Sequence, residues 1–167
     1  TIADNIGRAN MSQERYNFYL GQVLTIRAWS YFYIIRNWGD APYIIHAEDV
    51  GERGRMAWQD IADAIIDDLK LAVGYLPRVN DLRDSEGRMI DSKQVPSRGT
   101  AFAIMAQVYA WKAALNNEPE LNKLAIAACD SVIDSGSYAL VGSIKDVCER
   151  EMLGNSDEGI FEIDYRN

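Results

Sequence analysis

The sequence predicts a mainly α fold of tetratricopeptide-like helical hairpins, with about four main helices, long loops and a short C-terminal strand. Three observations predict it. Apolar residues recur at three- and four-residue steps over four separate stretches, the signature of one helix face turned to a core. Glycine and proline stand where each stretch ends. Only about four residues separate the third stretch from the fourth, so those two helices must fold back on each other. The chain, 167 residues long, reads as a single domain (1–167) with enough length to bury a sizeable core.

The first helix is expected from about Ser12 to Trp38. Tyr16, Leu20, Val23, Leu24, Tyr31, Ile35 and Trp38 keep helical spacing, and Ala28 offers a small contact. Gly39 supplies a left-handed C-cap position, and Pro42 cannot continue the helix. Phe18, Tyr19, Trp29, Phe32 and Ile34 spread apolar character onto a second face, which predicts a central helix sandwiched between neighbours. The second helix follows Trp58, Ile61, Ala62, Ile65, Leu69, Ala72 and Leu76, with Asp60, Asp63, Asp67 and Asp68 as its wet face and Pro77 as its stop. The segment Arg78–Gln94 has little periodicity and reads as a long loop, a class that is often functional or mobile.

The third helix, from Ser97 or Thr100 to Leu115, is rich in alanine, which lets helix backbones approach closely. The fourth opens at Pro119, a favoured first-turn residue, and stops at Gly136. Together they have the size of a tetratricopeptide unit, and the first two helices make the neighbouring pair. Phe161, Ile163 and Tyr165 alternate within Gly159–Tyr165, as in a short strand.

Charge and composition exclude several function classes. Lys and Arg number 17 against 25 Asp and Glu, a net charge of −8 with no basic stripe, so no nucleic-acid partner is expected. No apolar run approaches the ~20 residues of a membrane-spanning helix, and TIADNIGRAN lacks the pattern of a signal peptide. Cys129 and Cys148 lack metal-type spacing; either a bridge or a buried free thiol at Cys129 fits the pattern.

The chemistry of an enzyme is not visible, and none is expected. The single histidine, His46, lies in a loop after Pro42 and reads as solvated. Nucleophile-elbow, P-loop, Rossmann and zinc-helix motifs are missing from the sequence. Asp63 and Asp67 stand at i and i+4, the spacing of paired carboxylates, yet they share a row with Asp60 and Asp68 that reads as a solvated face. Asp81, Asp84, Glu86, Gly87 and Asp91 do not follow the order of a calcium loop. No metal or cofactor is expected. Trp29, Trp38, Trp58 and Trp111 all fall on helices, where core packing is their usual fate rather than sugar stacking, whereas Tyr43 and Tyr75 are more loosely placed.

Five motifs in order carry a resemblance. Arg27, Ala28, Tyr31 and Phe32 precede a Trp38-Gly39-Asp40-x-Pro42 turn. Ile65, Asp68, Leu69 and Ala72 lead to Leu76-Pro77, and Met105, Ala106, Val108 and Tyr109 follow after the loop. Ala125, Cys129, Val132, Ile133, Ser135, Gly136, Tyr138 and Leu140 make the fourth motif and EGIFEIDY, Glu158–Tyr165, the fifth. In this order they resemble the SusD/RagB family, surface glycan-capturing lipoproteins of Bacteroidetes, with Cys129 replacing an alanine of the family pattern.

The resemblance implies the scaffold portion of a longer protein, lipid-anchored at the outer-membrane surface, that binds an oligosaccharide or another large nutrient. It implies a partner as well, a SusC-like TonB-dependent β-barrel transporter on which the whole protein sits as a lid. Arg27, Ala28, Tyr31, Phe32, Trp38, Gly39, Asp40 and Pro42 would then be structural motif residues. No sugar-binding residue is carried over, because the family's sugar contacts come mainly from other segments. The rival readings are a generic tetratricopeptide-like adaptor for a peptide or protein and, further off, a glycan-acting enzyme using Asp63 and Asp67 or the loop aspartates as acid and base.

Overall fold

A computed structural model describes residues 2–46, 51–149 and 156–163. A short N-terminal helix, α1 (Ile2–Asn5), runs into a 3-10 turn (Ile6–Arg8). Four main helices follow: α2 (Gln13–Trp38), α3 (Trp58–Tyr75), α4 (Arg98–Asn116) and α5 (Leu121–Ile133). A last short helix, α6 (Ile144–Glu149), completes the described elements. Neither α1 nor α6 has the periodic length by which sequence reveals a helix.

The termini follow local chemistry. The Ser12 hydroxyl accepts from the Arg15 N–H and starts α2. Ser97 and Thr100 form a reciprocal capping box at α4, with both residues buried. Asn117 takes the left-handed conformation (φ 55°, ψ 44°) after α4, and the Glu118 N–H donates to the Ala113 carbonyl. Pro119 and Glu120 form a tight turn, so α5 proper starts at Leu121 rather than at Pro119. Gly39 has φ 70° but ψ −132°, so it closes α2 in a glycine-favoring conformation other than the expected left-handed cap.

The helices stack as α2, α3, α4, α5, each neighbour reversing direction. Gly21 near the start of α2 is so close to the end of α3 that an added Cβ would lie 2.9 Å from Leu76 Cγ. At the other end of the pair, Trp58 of α3 faces Trp111 of α4, their rings 4.6 Å apart and tilted by 67°. The core lies along α3, where Ile61, Ala62, Ile65, Leu69, Ala72 and Leu76 are fully buried between Leu24, Phe32 and Ile35 of α2 and Ala101 and Val108 of α4.

The central helix is therefore α3, not α2. The second apolar face of α2 looks outward: Trp29 and Ile26 are partly exposed, Tyr33 is 57% exposed and Trp38 66%. The expectation that all four tryptophans pack in the core holds for Trp58 and Trp111 and fails for Trp29 and Trp38, which stand on the outer face of α2. Cys129 is exposed on α5 and Cys148 is exposed on α6, and both are free thiols, so neither a bridge nor a buried Cys129 is found.

The segment after α3 is anchored along its length rather than open. Val79 and Leu82 are buried, Arg83 and Met89 form an isolated antiparallel bridge, and Arg15 of α2 donates to the Asp84 carbonyl at 2.9 Å. Described residues 156–163 form no strand; they are bends tied down by the Glu162 N–H donating to the Lys93 carbonyl. Tyr165 of the expected strand lies outside the described residues.

Candidate functional site

The sequence motif around Arg27–Pro42 converges on one junction between α2 and α3. Arg27 Nε and Nη2 each donate to an Asp68 oxygen at 2.7 Å, a fork-to-fork pair with both side chains largely buried. This bond raises the Arg27 pKa against the opposing effect of burial. Asp68 is thus a buried, paired carboxylate and not part of the wet face of α3. Helical phase carries the signal: Asp68 is seven residues after Ile61 and four before Ala72, about 20° off the apolar stripe, whereas Asp60, Asp63 and Asp67 are turned away from it.

The turn after α2 is held by side chains standing in for backbone partners. The Asp40 carboxylate accepts from the Trp58 N–H at 2.9 Å, capping α3 where Ala57 offers no side-chain cap. Ala41 and Met56 exchange both backbone hydrogen bonds, closing the base of the loop. The Tyr31 hydroxyl accepts from the Ile44 N–H at 2.7 Å and lies 3.0 Å from the Ile44 carbonyl as donor. The Tyr31 ring meets Tyr43 edge-on at 4.7 Å. Burial, with the nearby Asp68 charge, pushes the Tyr43 hydroxyl up to about 12.

Phe32 and Ala28 fill the core side of the same junction, Phe32 lying edge-on to Trp111 at 5.8 Å beneath the Arg36 guanidinium at 5.1 Å. Trp38 turns its ring toward Tyr33 at 6.2 Å, and Pro42 is exposed. Arg27 Nε and Nη2, the Tyr31 hydroxyl and one Asp40 carboxylate oxygen all bond within the chain.

The other candidates do not gather into a site. His46 Nδ1 lies 2.7 Å from Asp4 Oδ1, tying the loop to α1, a contact sequence spacing does not show. Asp63 pairs with Lys112 of α4, and Asp67 with Lys70 of its own helix at 2.9 Å. Asp84 accepts from the Glu86 and Arg88 N–H groups and from the Arg88 side chain, whose hydrogen bond is the main cause of its lowered pKa. Among the described residues no cluster of three metal-ligating side chains occurs, and no helix is long and apolar enough to cross a membrane.

Reversing helical hairpins with an aromatic outer face, fixed by an Arg–Asp fork and a Trp-Gly-Asp turn, define a helical-repeat scaffold. The family is shown by comparison: a SusD-like family model, described as "Starch-binding associating with outer membrane", matches residues 1–110, and the chain belongs to that SusD-like family. A SusD-like protein, P25, of Formosa agariphila is 27% identical over 172 residues, covering 98% of this chain and 29% of its own length.

Solved structures share the fold. A surface glycan-binding protein A from Bacteroides uniformis superposes with a TM-score of 0.80 at 20% identity, covering 98% of this chain and 35% of its own. A SusD-like protein from Bacteroides fragilis gives 0.76 at 22% identity, covering 99% and 31%. The chain thus spans about a third or less of the length of the relatives it matches.

Proposed function

We propose that this chain is the non-catalytic scaffold portion of a surface glycan-binding protein that delivers oligosaccharide to a TonB-dependent outer-membrane transporter. The observation that carries the reading is the junction itself. The motif residues that mark the family are spent on joining α2 to α3, through Arg27 with Asp68 and Asp40 with the Trp58 N–H. Their polar groups build the frame rather than face a ligand.

The outer face of α2 supports the same assignment. Ile26, Trp29 and Tyr33 form an apolar strip on a helix whose opposite side is fully packed. Phe161 already lies edge-on to Trp29 at 6.4 Å, so the chain after α6 begins to cover this face. In a protein of the relatives' length, further chain completes that cover and carries the sugar-contacting loops. The whole protein is held by a lipid at the cell surface.

The test is to express the full reading frame with its neighbouring β-barrel, purify through a tag on the barrel, and titrate the complex with glycans. Co-purification with saturable glycan binding is expected. A protein that purifies free of any barrel and binds peptides instead of glycans would establish the adaptor reading in its place.

A further inference from the structure

We propose that residues 156–163 are a strap that opens as a unit apart from the helical stack, with Lys93 as its latch and Trp29 as the surface it uncovers. The strap has no helix or strand of its own. Of its side chains only Ser156 is buried, with Ile160 and Phe161 partly so. Polar bonds to its neighbours and within its own turn therefore hold most of it in place.

Lys93, in the turn before α4, grips the strap at both ends. Its ammonium donates to the Ser156 carbonyl, and its own carbonyl accepts from the Glu162 N–H at 3.0 Å. Lys93 is only 9% exposed, and among the described residues it enters no ion pair. Its second contact is the face of the Tyr138 ring, 5.2 Å from Nζ, a ring whose hydroxyl lies 3.1 Å from that of Ser97. Further bonds come from the segment after α5: the Ala139 N–H donates to the Asp157 carbonyl at 3.1 Å and the Val141 N–H to Glu158 Oε1 at 2.8 Å. The strap is also curled on itself, since Glu162 Oε1 accepts from the Ser156 N–H and hydroxyl, both at 3.1 Å.

Separate opening follows from that set of contacts. A buried ammonium is costly unless it is hydrogen-bonded, and here a carbonyl and a ring face take the place of a carboxylate. Lifting the strap returns the ammonium and the freed backbone groups to water, which replaces their bonds, whereas the apolar area buried along α3 has no such substitute. Segments with few buried apolar contacts open at lower free energy than the whole molecule. The apolar contact given up is Phe161 on Trp29, edge-on at 6.4 Å. With Phe161 gone, Trp29 joins Ile26 and Tyr33 as open surface on α2. The strap thus sets how much of that face is available, whatever the whole protein binds, so the inference does not rest on the glycan reading.

The experiment is native-state hydrogen exchange of the full-length protein over a series of low urea concentrations. Amides of 156–163 are expected to exchange at rates nearly independent of urea, while those of α3 accelerate steeply with it. Lys93→Met removes the latch, and Glu162→Ala removes the internal acceptor by a second route. Each is expected to speed strap exchange by about tenfold or more, the loss of a charged hydrogen bond, with α3 exchange unchanged. In protein labelled with 5-fluorotryptophan, the fluorine resonance that disappears in Trp29→Phe is expected to move in both variants, and those of Trp58 and Trp111 to stay. Strap and α3 amides with the same urea dependence would overturn the proposal. So would unchanged strap exchange in both variants, loss of α3 protection in both, or a stationary Trp29 resonance. No outcome depends on a glycan or a barrel partner, so the scaffold reading stands or falls separately.

Discussion

Arg27 of α2 and Asp68 of α3 form a two-point ion pair, both contacts 2.7 Å, in the seam between the two helices. The exposures of the side chains are 21% and 11%, so each loses most of its hydration on folding and depends on the other. Removing one partner leaves an unpaired charge in that seam. Asp68→Ala is expected to cost about 3 kcal/mol in urea unfolding. A joint Arg27→Leu, Asp68→Leu replacement is expected to recover most of that loss, since no stranded charge remains.

Asp40 caps α3 from outside the helix. Asp40→Ala is expected to lower stability by about 1 kcal/mol, and Asp40→Asn to retain most of it, because an amide oxygen accepts the Trp58 N–H as well. Chemical denaturation of the two variants side by side checks this. Equal losses for both would refute the capping role.

Gly99 and Tyr138 are in contact across the α4–α5 pair. An added Cβ at Gly99 would come within 2.3 Å of the Tyr138 hydroxyl oxygen. Gly99→Ala is expected to destabilise by about 1–3 kcal/mol through overpacking. In a Tyr138→Ala background the same change should cost far less, a coupling that a double-mutant cycle measures directly.

Tyr43 makes stability fall at alkaline pH. Its folded value, about 12, lies above that of an exposed tyrosine near 10. The folded state then holds the proton more tightly, so its contribution is complete below pH ~10 and is lost as pH rises toward 12. Burial raises the Tyr138 hydroxyl as well, so phenolate absorbance of the native protein should show more than one late-titrating tyrosine, of which Tyr43→Phe removes one, and that variant should show a shallower decline in stability across the window.

Both cysteines are free and exposed. A thiol reagent is expected to label two groups in the native protein, and reductant should leave thermal unfolding unchanged. Labelling only after denaturation would contradict this.

Much of the fold was legible because long helices advertise themselves by period. The stripe from Ile61 to Leu76 is buried as its spacing requires, and the helix ends fall at Ser12, Ser97 and near Pro77. Rank order in the stack was not legible. An apolar second face predicts a neighbour without saying which chain supplies it, so α2 looked central while α3 holds that place. Asp68 was misassigned by residue type, although its phase on the helix places it with Ile61 and Ala72. The Asp40–Trp58 and His46–Asp4 contacts join residues 18 and 42 positions apart, a reach that local pattern does not encode.

On the proposed function, the motif residues Arg27, Asp40 and Asp68 build the frame and a sugar is bound elsewhere in the whole protein. The most direct measurement is glycan affinity of the full-length protein and of its Arg27→Leu, Asp68→Leu double variant, each confirmed folded. Affinities within about twofold of each other are predicted, since the replaced groups contact only the chain itself. Loss of glycan binding in the folded double variant would contradict the account.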